Sequence, residues 1–248
     1  MKHEEPLLDL RTLKSFQFSL SLIIAIITQI AMMGAMFLMP IIMESLKGYS
    51  AMQTGMMMLP QAIVTGIMMP ISGKLFDKYG AKAISIIGLT ILAFFTYLLS
   101  RISLDTSATN IMLIMAFRGF GVGLCMMPSQ TLGLNKIPQE LLAKASALSS
   151  VVRQVAGSLG IAILATVLQN RQSFHTAKFM ENINMASPNL VKAKSAIQTT
   201  VVQHDMKQAA MVAMNDTFLV ITLISILGIS CALFIEKKQR IKNMETTV

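Results

Sequence analysis

Residues 15–43 read SFQFSLSLIIAIITQIAMMGAMFLMPIIM, an unbroken run without a charged side chain. A helix crosses a hydrocarbon core ~30 Å thick with ~20 mostly apolar residues, and lipid offers no partner to an exposed backbone amide. This run meets that length with residues to spare. Further uncharged runs cover 48–73, 83–100, 119–135, 154–170 and 217–235. None alternates apolar and polar residues over ~10 positions as a barrel strand would, so the spans are helical. The reading is an all-α, polytopic membrane protein of about six transmembrane helices, near 17–42, 51–72, 82–100, 109–132, 146–168 and 214–235. The fourth and fifth spans each absorb an arginine, Arg118 and Arg153. Each arginine costs ~2.5–3.5 kcal/mol near a span centre, which the other residues of the span offset.

Composition agrees. Hydrophobic residues make up 54% of the chain and charged residues 13%, against roughly a quarter charged in soluble domains. The net charge of +9 does not indicate nucleic acid, because Lys and Arg form no single stripe and aromatics are only 6%. Topology accounts for it better. With the N-terminus inside, twelve Lys and Arg face inward, against Lys47 and Arg101 in short outer loops and five more in one long connection. The positive-inside rule then puts both termini in the cytoplasm. The expected division is a cytoplasmic segment at 1–16, a six-span domain at 17–235 with a long outer loop at 169–213, and a cytoplasmic tail at 236–248. Ser187 and Pro188 are placed to start a helix in that loop, and 188–212 carries a loosely helical apolar pattern. Such a segment lies on the membrane surface or packs as an ordinary solvated helix.

No enzymatic or metal constellation emerges. His3, His175 and His204 are far apart, and Cys125 and Cys231 lie in separate spans without a CxxC. The chain is read as a non-enzyme with no cofactor and no metal. Gly119, Gly121 and Gly123 follow no strand and lack the Lys-Ser of a phosphate loop, so they read as sites of close helix contact. No Asp or Glu falls inside a span as placed, since Glu44 and Asp216 are terminal. Arg118 and Arg153, each near mid-membrane, therefore need backbone carbonyls, substrate, water or another chain as partner. Gln154 shares the position of Arg153. Thr28 and Gln29 are candidate cavity groups, or single polar residues tolerated between helices. Pro60 and Pro128 are placed to bend their helices and free carbonyls. The 22 methionines suit a promiscuous apolar pocket, and equally suit plain packing.

The strongest local pattern is Gly73-Lys74-Leu75-Phe76-Asp77-Lys78-Tyr79-Gly80-Ala81-Lys82, between the second and third spans. Glycines permit a tight reversal, Asp77 is suited to cap a helix start, and the lysines sit on the positive side. Gly73, Leu75, Asp77, Lys78, Gly80 and Lys82 resemble the loop between second and third spans of the major facilitator superfamily. Ala81 departs from it. Residues 6–11 (PLLDLR) resemble the entry to the ninth span, and 150–160 (SVVRQVAGSLG) the thirteenth span, of its fourteen-span drug:proton antiporters, a multidrug efflux family, and the long outer loop before the last span also fits. Arg118 with its glycines loosely resembles the family's arginine-glycine motif. The resemblance implies two inverted three-helix repeats and a conformational-switch loop at Gly73 to Lys82. It further implies alternating access and export of hydrophobic or cationic small molecules driven by protons, in the plasma membrane of a bacterium. Besides membrane lipid, substrate and protons, it implies a missing N-terminal half as partner. The alternative is a truncated or regulatory, non-transporting membrane subunit, favoured by the lack of a titratable acid in the spans as placed.

Overall fold

The computed structural model describes residues 16–134, 137, 139–186 and 195–235. The segments at 1–15 and 236–248, and the helix start expected at Ser187 and Pro188, lie outside the described residues. Six helices follow one another: α1 (Phe16–Pro40), α2 (Ala51–Tyr79), α3 (Ala81–Leu99), α4 (Ala108–Leu134), α5 (Gln139–Ala186) and α6 (Ser195–Leu233). Each contains a stretch long and apolar enough to cross a membrane. The fold is all-helical, as expected.

Helix ends follow local chemistry. Pro40 lacks the N–H that α1 needs, and the chain continues from it as a π turn, Ile41–Leu46. Ser50 opens α2 with a reciprocal cap: its Oγ accepts from the Gln53 amide at 3.3 Å while Gln53 Oε1 accepts from the Ser50 amide at 2.9 Å. Gly80 alone separates α2 from α3, at φ +84° and ψ +164°, a conformation essentially reserved for glycine.

Two expectations need correction here. The segment 169–213 is largely helix, because α5 runs to Ala186 and α6 starts at Ser195. No Gly or Pro occurs between Ile161 and Ala186, nor between Ser195 and Leu227, so nothing local stops either helix. Asp77 does not sit at a helix start either. It lies in the last turn of α2, and the cap position of α3 is Gly80.

The main apolar core joins α1, α3, α4 and α6 through Ile24, Leu38, Leu89, Val122, Phe218 and Ile221. Burial is uneven. Of the apolar window in each helix, 56% is buried for α1 and for α4 but only 17% for α2 and 28% for α5.

Candidate functional site: a buried arginine held by four helices

Three glycines on alternate positions let α4 sink between its neighbours. A methyl group at Gly119 would lie 2.5 Å from the Gln61 carbonyl oxygen, and one at Gly123 would lie 2.6 Å from Met68 Cβ, both on α2. One at Gly121 would lie 2.7 Å from the Leu92 nitrogen and 2.9 Å from the Gly88 oxygen, both on α3. Backbones approach this closely only without side chains between them. Hydroxyls fasten the contact. Thr65 Oγ1 donates to the Gly119 carbonyl at 3.1 Å and Ser72 Oγ to the Leu124 carbonyl at 2.8 Å.

That second bond explains Pro128. A proline removes the N–H that would bond to the carbonyl four residues earlier, here Leu124. Ser72 fills the vacancy from the neighbouring helix. The expectation of a freed carbonyl thus has an address, but α4 continues through Pro128 and α2 through Pro60 and Pro70 as unbroken helices.

The same close packing encloses Arg118, whose side chain is fully buried. Its Nε donates to Thr96 Oγ1 at 3.1 Å on α3, and its Nη1 to Gln61 Oε1 at 3.4 Å on α2. Its Nη2 donates to the Ala31 carbonyl on α1. One guanidinium therefore ties α1, α2 and α3 to α4. A planar fork of five donors suits this task, and a lysine would not span three directions. The partners are neutral oxygens of the same chain, so no second chain is needed to satisfy this arginine.

Arg153 differs. It is half-buried on α5, with Nη2 3.3 Å from Ser150 Oγ, and Gln154 beside it is exposed. Gln29 packs on α5 at Gly157, one turn beyond Arg153, with its Nε2 3.3 Å from a methyl placed there. Thr28 is buried and donates to the Ile24 carbonyl at 2.8 Å. The five candidate cavity residues are thus split: Arg118 and Thr28 are enclosed, while Arg153, Gln29 and Gln154 lie along α5.

In the Gly73 to Lys82 segment, Gly80 makes the turn, and Gly73 is an ordinary helical residue where an added methyl would meet Met127 at an unstrained 3.8 Å. Lys78 lies over the Tyr79 ring at 5.2 Å. Lys82 donates to the Leu233 carbonyl at 2.5 Å, placing a cation at the negative C-terminal end of α6.

At the opposite end, Lys47 donates to the Leu104 and Thr106 carbonyls at 2.8 and 2.5 Å. Burial pushes its ammonium below the usual range, with Asp105 pulling it back up. Nearby lies a group that span placement from the sequence had put at a terminus. Asp216 stands on α6, ten residues along the apolar helical stretch Met206–Leu233. Its Oδ2 is 2.8 Å from His175 Nε2 and 3.7 Å from Arg171 Nε, both on α5.

Six helices long and apolar enough to cross a membrane, four of them joined at a buried arginine by neutral acceptors, define a polytopic membrane protein. Residues 2–161 match the Major Facilitator Superfamily, and the chain belongs to that family. It is 35% identical to the uncharacterized MFS-type transporter YhcA of Bacillus subtilis (strain 168), over 98% of this chain and 49% of that protein. It is 29% identical to the lincomycin resistance protein LmrB of Listeria monocytogenes, over 94% of this chain and 46% of that one. With the multidrug export protein EmrB of Escherichia coli (strain K12), identity is 29% over 75% of this chain and 36% of that one. The chain spans about half the length of the first two relatives.

Proposed function

We propose that this chain is the C-terminal half of a fourteen-span efflux transporter that exports hydrophobic or cationic small molecules by alternating access, driven by protons. The observation that carries it is the low burial of α2 and α5. On α2, Gly55 and Gly66 have nothing within 4 Å of where a side chain would begin. Glycines in an exposed apolar helix serve close approach of another helix. Met56, Leu59, Ile63 and Ile67 on α2, and Val151, Val155, Leu159 and Ile163 on α5, are exposed with them. An N-terminal half docking on these helices would cover them. It would also bring an acid within reach of half-buried Arg153, whereas Arg118 is already satisfied. The drug reading rests on the names of the lincomycin resistance and multidrug export relatives.

For coupling, an arginine holds its protons, whereas an imidazole and a carboxylate in hydrogen-bond contact can pass one between them. Asp216 with His175 is our candidate for the proton-carrying pair, at the end of the bundle that lysine counting puts outside. The Gly73 to Lys82 turn would then be cytoplasmic. Lys82 on Leu233 would be a contact made and broken as α3 moves past α6.

The test is export of a fluorescent lipophilic cation from bacteria lacking their own pumps. The chain alone should leave accumulation unchanged, and co-expression with an N-terminal half of the matching relative should restore efflux. Asp216→Asn should then abolish its pH dependence. Equal efflux by the lone chain would refute the half-transporter reading. Failure of both preparations, with both chains present in the membrane, would favour a truncated or regulatory, non-transporting subunit.

A further inference from the structure

At the end of α3 and α4 remote from Gly80, a cleft of about 370 Å³ opens between the two helices. Phe95, Leu98, Leu113, Ile114 and Phe117 form its apolar walls, with Arg101 and Asn110 at the polar end. Phe95 and Phe117 are stacked, centroids 5.1 Å apart and planes within 11°, giving the deep wall a flat, rigid surface. Leu113 and Phe117 are more than half exposed, so the cleft opens sideways from the bundle and not into its core.

The rim carries a positioned cation. Arg101 donates from Nη2 to Tyr97 Oη at 2.7 Å, and its guanidinium lies 5.2 Å from the centre of the Tyr97 ring. Among the described residues no carboxylate forms an ion pair with it. One donor is used on Tyr97, and a guanidinium has five. Arg101 lies two residues past the end of α3, where a long cationic side chain reaches the membrane interface, and Phe117 lies nine residues into α4. At 1.5 Å per residue, the apolar wall therefore runs roughly 13 Å into the hydrocarbon from the polar rim.

A cation at headgroup level above a lipid-facing apolar cleft matches one chemistry: a phosphate attached to an acyl chain. We propose that this cleft binds an anionic phospholipid, its phosphate on Arg101 and Asn110 and its chain against Phe95, Leu113 and Phe117. A zwitterionic lipid would fill the same walls, but its own ammonium would oppose Arg101. A free phosphate ester would gain nothing from the walls. The proposal depends on the membrane fold and is independent of any transport activity.

The chain has no tryptophan, so a single introduced one reports its surroundings without background. The full chain carrying Leu113→Trp is reconstituted in phosphatidylcholine vesicles. These contain equal small fractions of dibrominated phosphatidylglycerol or dibrominated phosphatidylcholine, whose bromines quench indole on contact. A local enrichment of the anionic lipid of roughly fivefold is expected, the size of effect one basic residue exerts near the interface. Arg101→Gln in the same background should remove the preference while leaving quenching by brominated phosphatidylcholine unchanged, which also shows that the variant is folded and inserted. Leu223→Trp, on the exposed face of α6, should show no preference. Soluble glycerophosphate should not relieve quenching. Equal quenching of Leu113→Trp by both lipids, a preference that survives Arg101→Gln, the same preference at Leu223→Trp, or relief by glycerophosphate would each overturn the assignment. Leu98→Trp, on the other wall, repeats the measurement if Leu113→Trp fails to insert.

Discussion

Replacing Thr96 by valine removes one hydroxyl and leaves the volume nearly unchanged, so its effect isolates the Arg118 contact. In the native chain the substitution takes the 3.1 Å acceptor from Arg118 Nε at a fully buried site. A hydrogen bond to a charged group is worth ~1.5–3 kcal/mol, and a stranded buried donor incurs that loss in full. In an Arg118→Met background the same substitution removes only a hydroxyl that donates to its own helix, at the Leu92 carbonyl, 2.6 Å away. That loss is a few tenths of a kcal/mol at most, because the Leu92 carbonyl keeps its helical partner. With ~2–4 °C of melting temperature per kcal/mol for a chain of this size, Thr96→Val should lower Tm by about 3–12 °C alone and by less than ~2 °C beside Arg118→Met. Cys125 supplies the assay, being fully buried. A thiol-reactive fluorophore in a Cys231→Ala background lights up only as Cys125 is uncovered. Equal shifts in the two backgrounds, additive within ~0.5 kcal/mol, would mean that Thr96 and Arg118 are not coupled and that the four-helix arginine hub is wrong.

Ser72→Ala should destabilise the fold by ~1–3 kcal/mol by stranding the Leu124 carbonyl. Pro128→Ala in the same chain should recover most of it by returning the missing N–H, and the same thermal assay reads both. Gly121→Ala should lower Tm by several degrees, since its methyl meets α3 backbone at 2.7 Å and overpacking costs ~1–3 kcal/mol. By contrast, Gly66→Ala should raise the stability of the isolated chain by up to ~1 kcal/mol through helix propensity. Gly66→Leu should leave that stability intact yet prevent co-purification with an N-terminal half. Gly80→Ala should cost ~1–3 kcal/mol from backbone strain alone, measurable as reduced Tm with unchanged membrane insertion.

Span count and helical class were legible because they depend on run length and on the need of every backbone group for a partner in lipid. Boundaries were not, for a physical reason visible at residues 169–213. Polarity marks where a helix leaves the hydrocarbon, while helix continues until a Gly, a Pro or a lost partner stops it. Reading the first as the second turned the extensions of α5 and α6 into a loop. The Ser50-to-Gln53 cap is a four-residue pattern of hydroxyl and amide that marks the start of α2 in the residues themselves. The turn motif was readable as a unit, yet its parts divide on inspection: Gly80 is demanded by backbone conformation, Gly73 is not, and Lys82 acts on a helix 151 residues away.

Charge accounting shows most clearly what pattern alone leaves open. Arg118 and Arg153 look alike in the sequence, one arginine each in an otherwise apolar run, and both demand acceptors. What separates them is the neighbouring helices. Beside Arg118 stand glycines at 119, 121 and 123, which bring α2 and α3 so near that Gln61 and Thr96 reach the guanidinium. Beside Arg153 stand Val151, Val155 and Leu159, which are exposed, and among the described residues the one hydrogen bond given for its guanidinium goes to Ser150 of its own helix. The demand is intrinsic to the residue, but whether it is met within the chain depends on how much backbone the adjacent side chains allow to come near. An apolar run with an arginine flanked by alternate glycines therefore points to an internal structural hub. An arginine flanked by exposed β-branched residues points to an interface with something else. If an N-terminal half docks on this chain as proposed, it meets α5 at Arg153, where Arg153→Gln should weaken pairing of the halves while Arg118→Met should not.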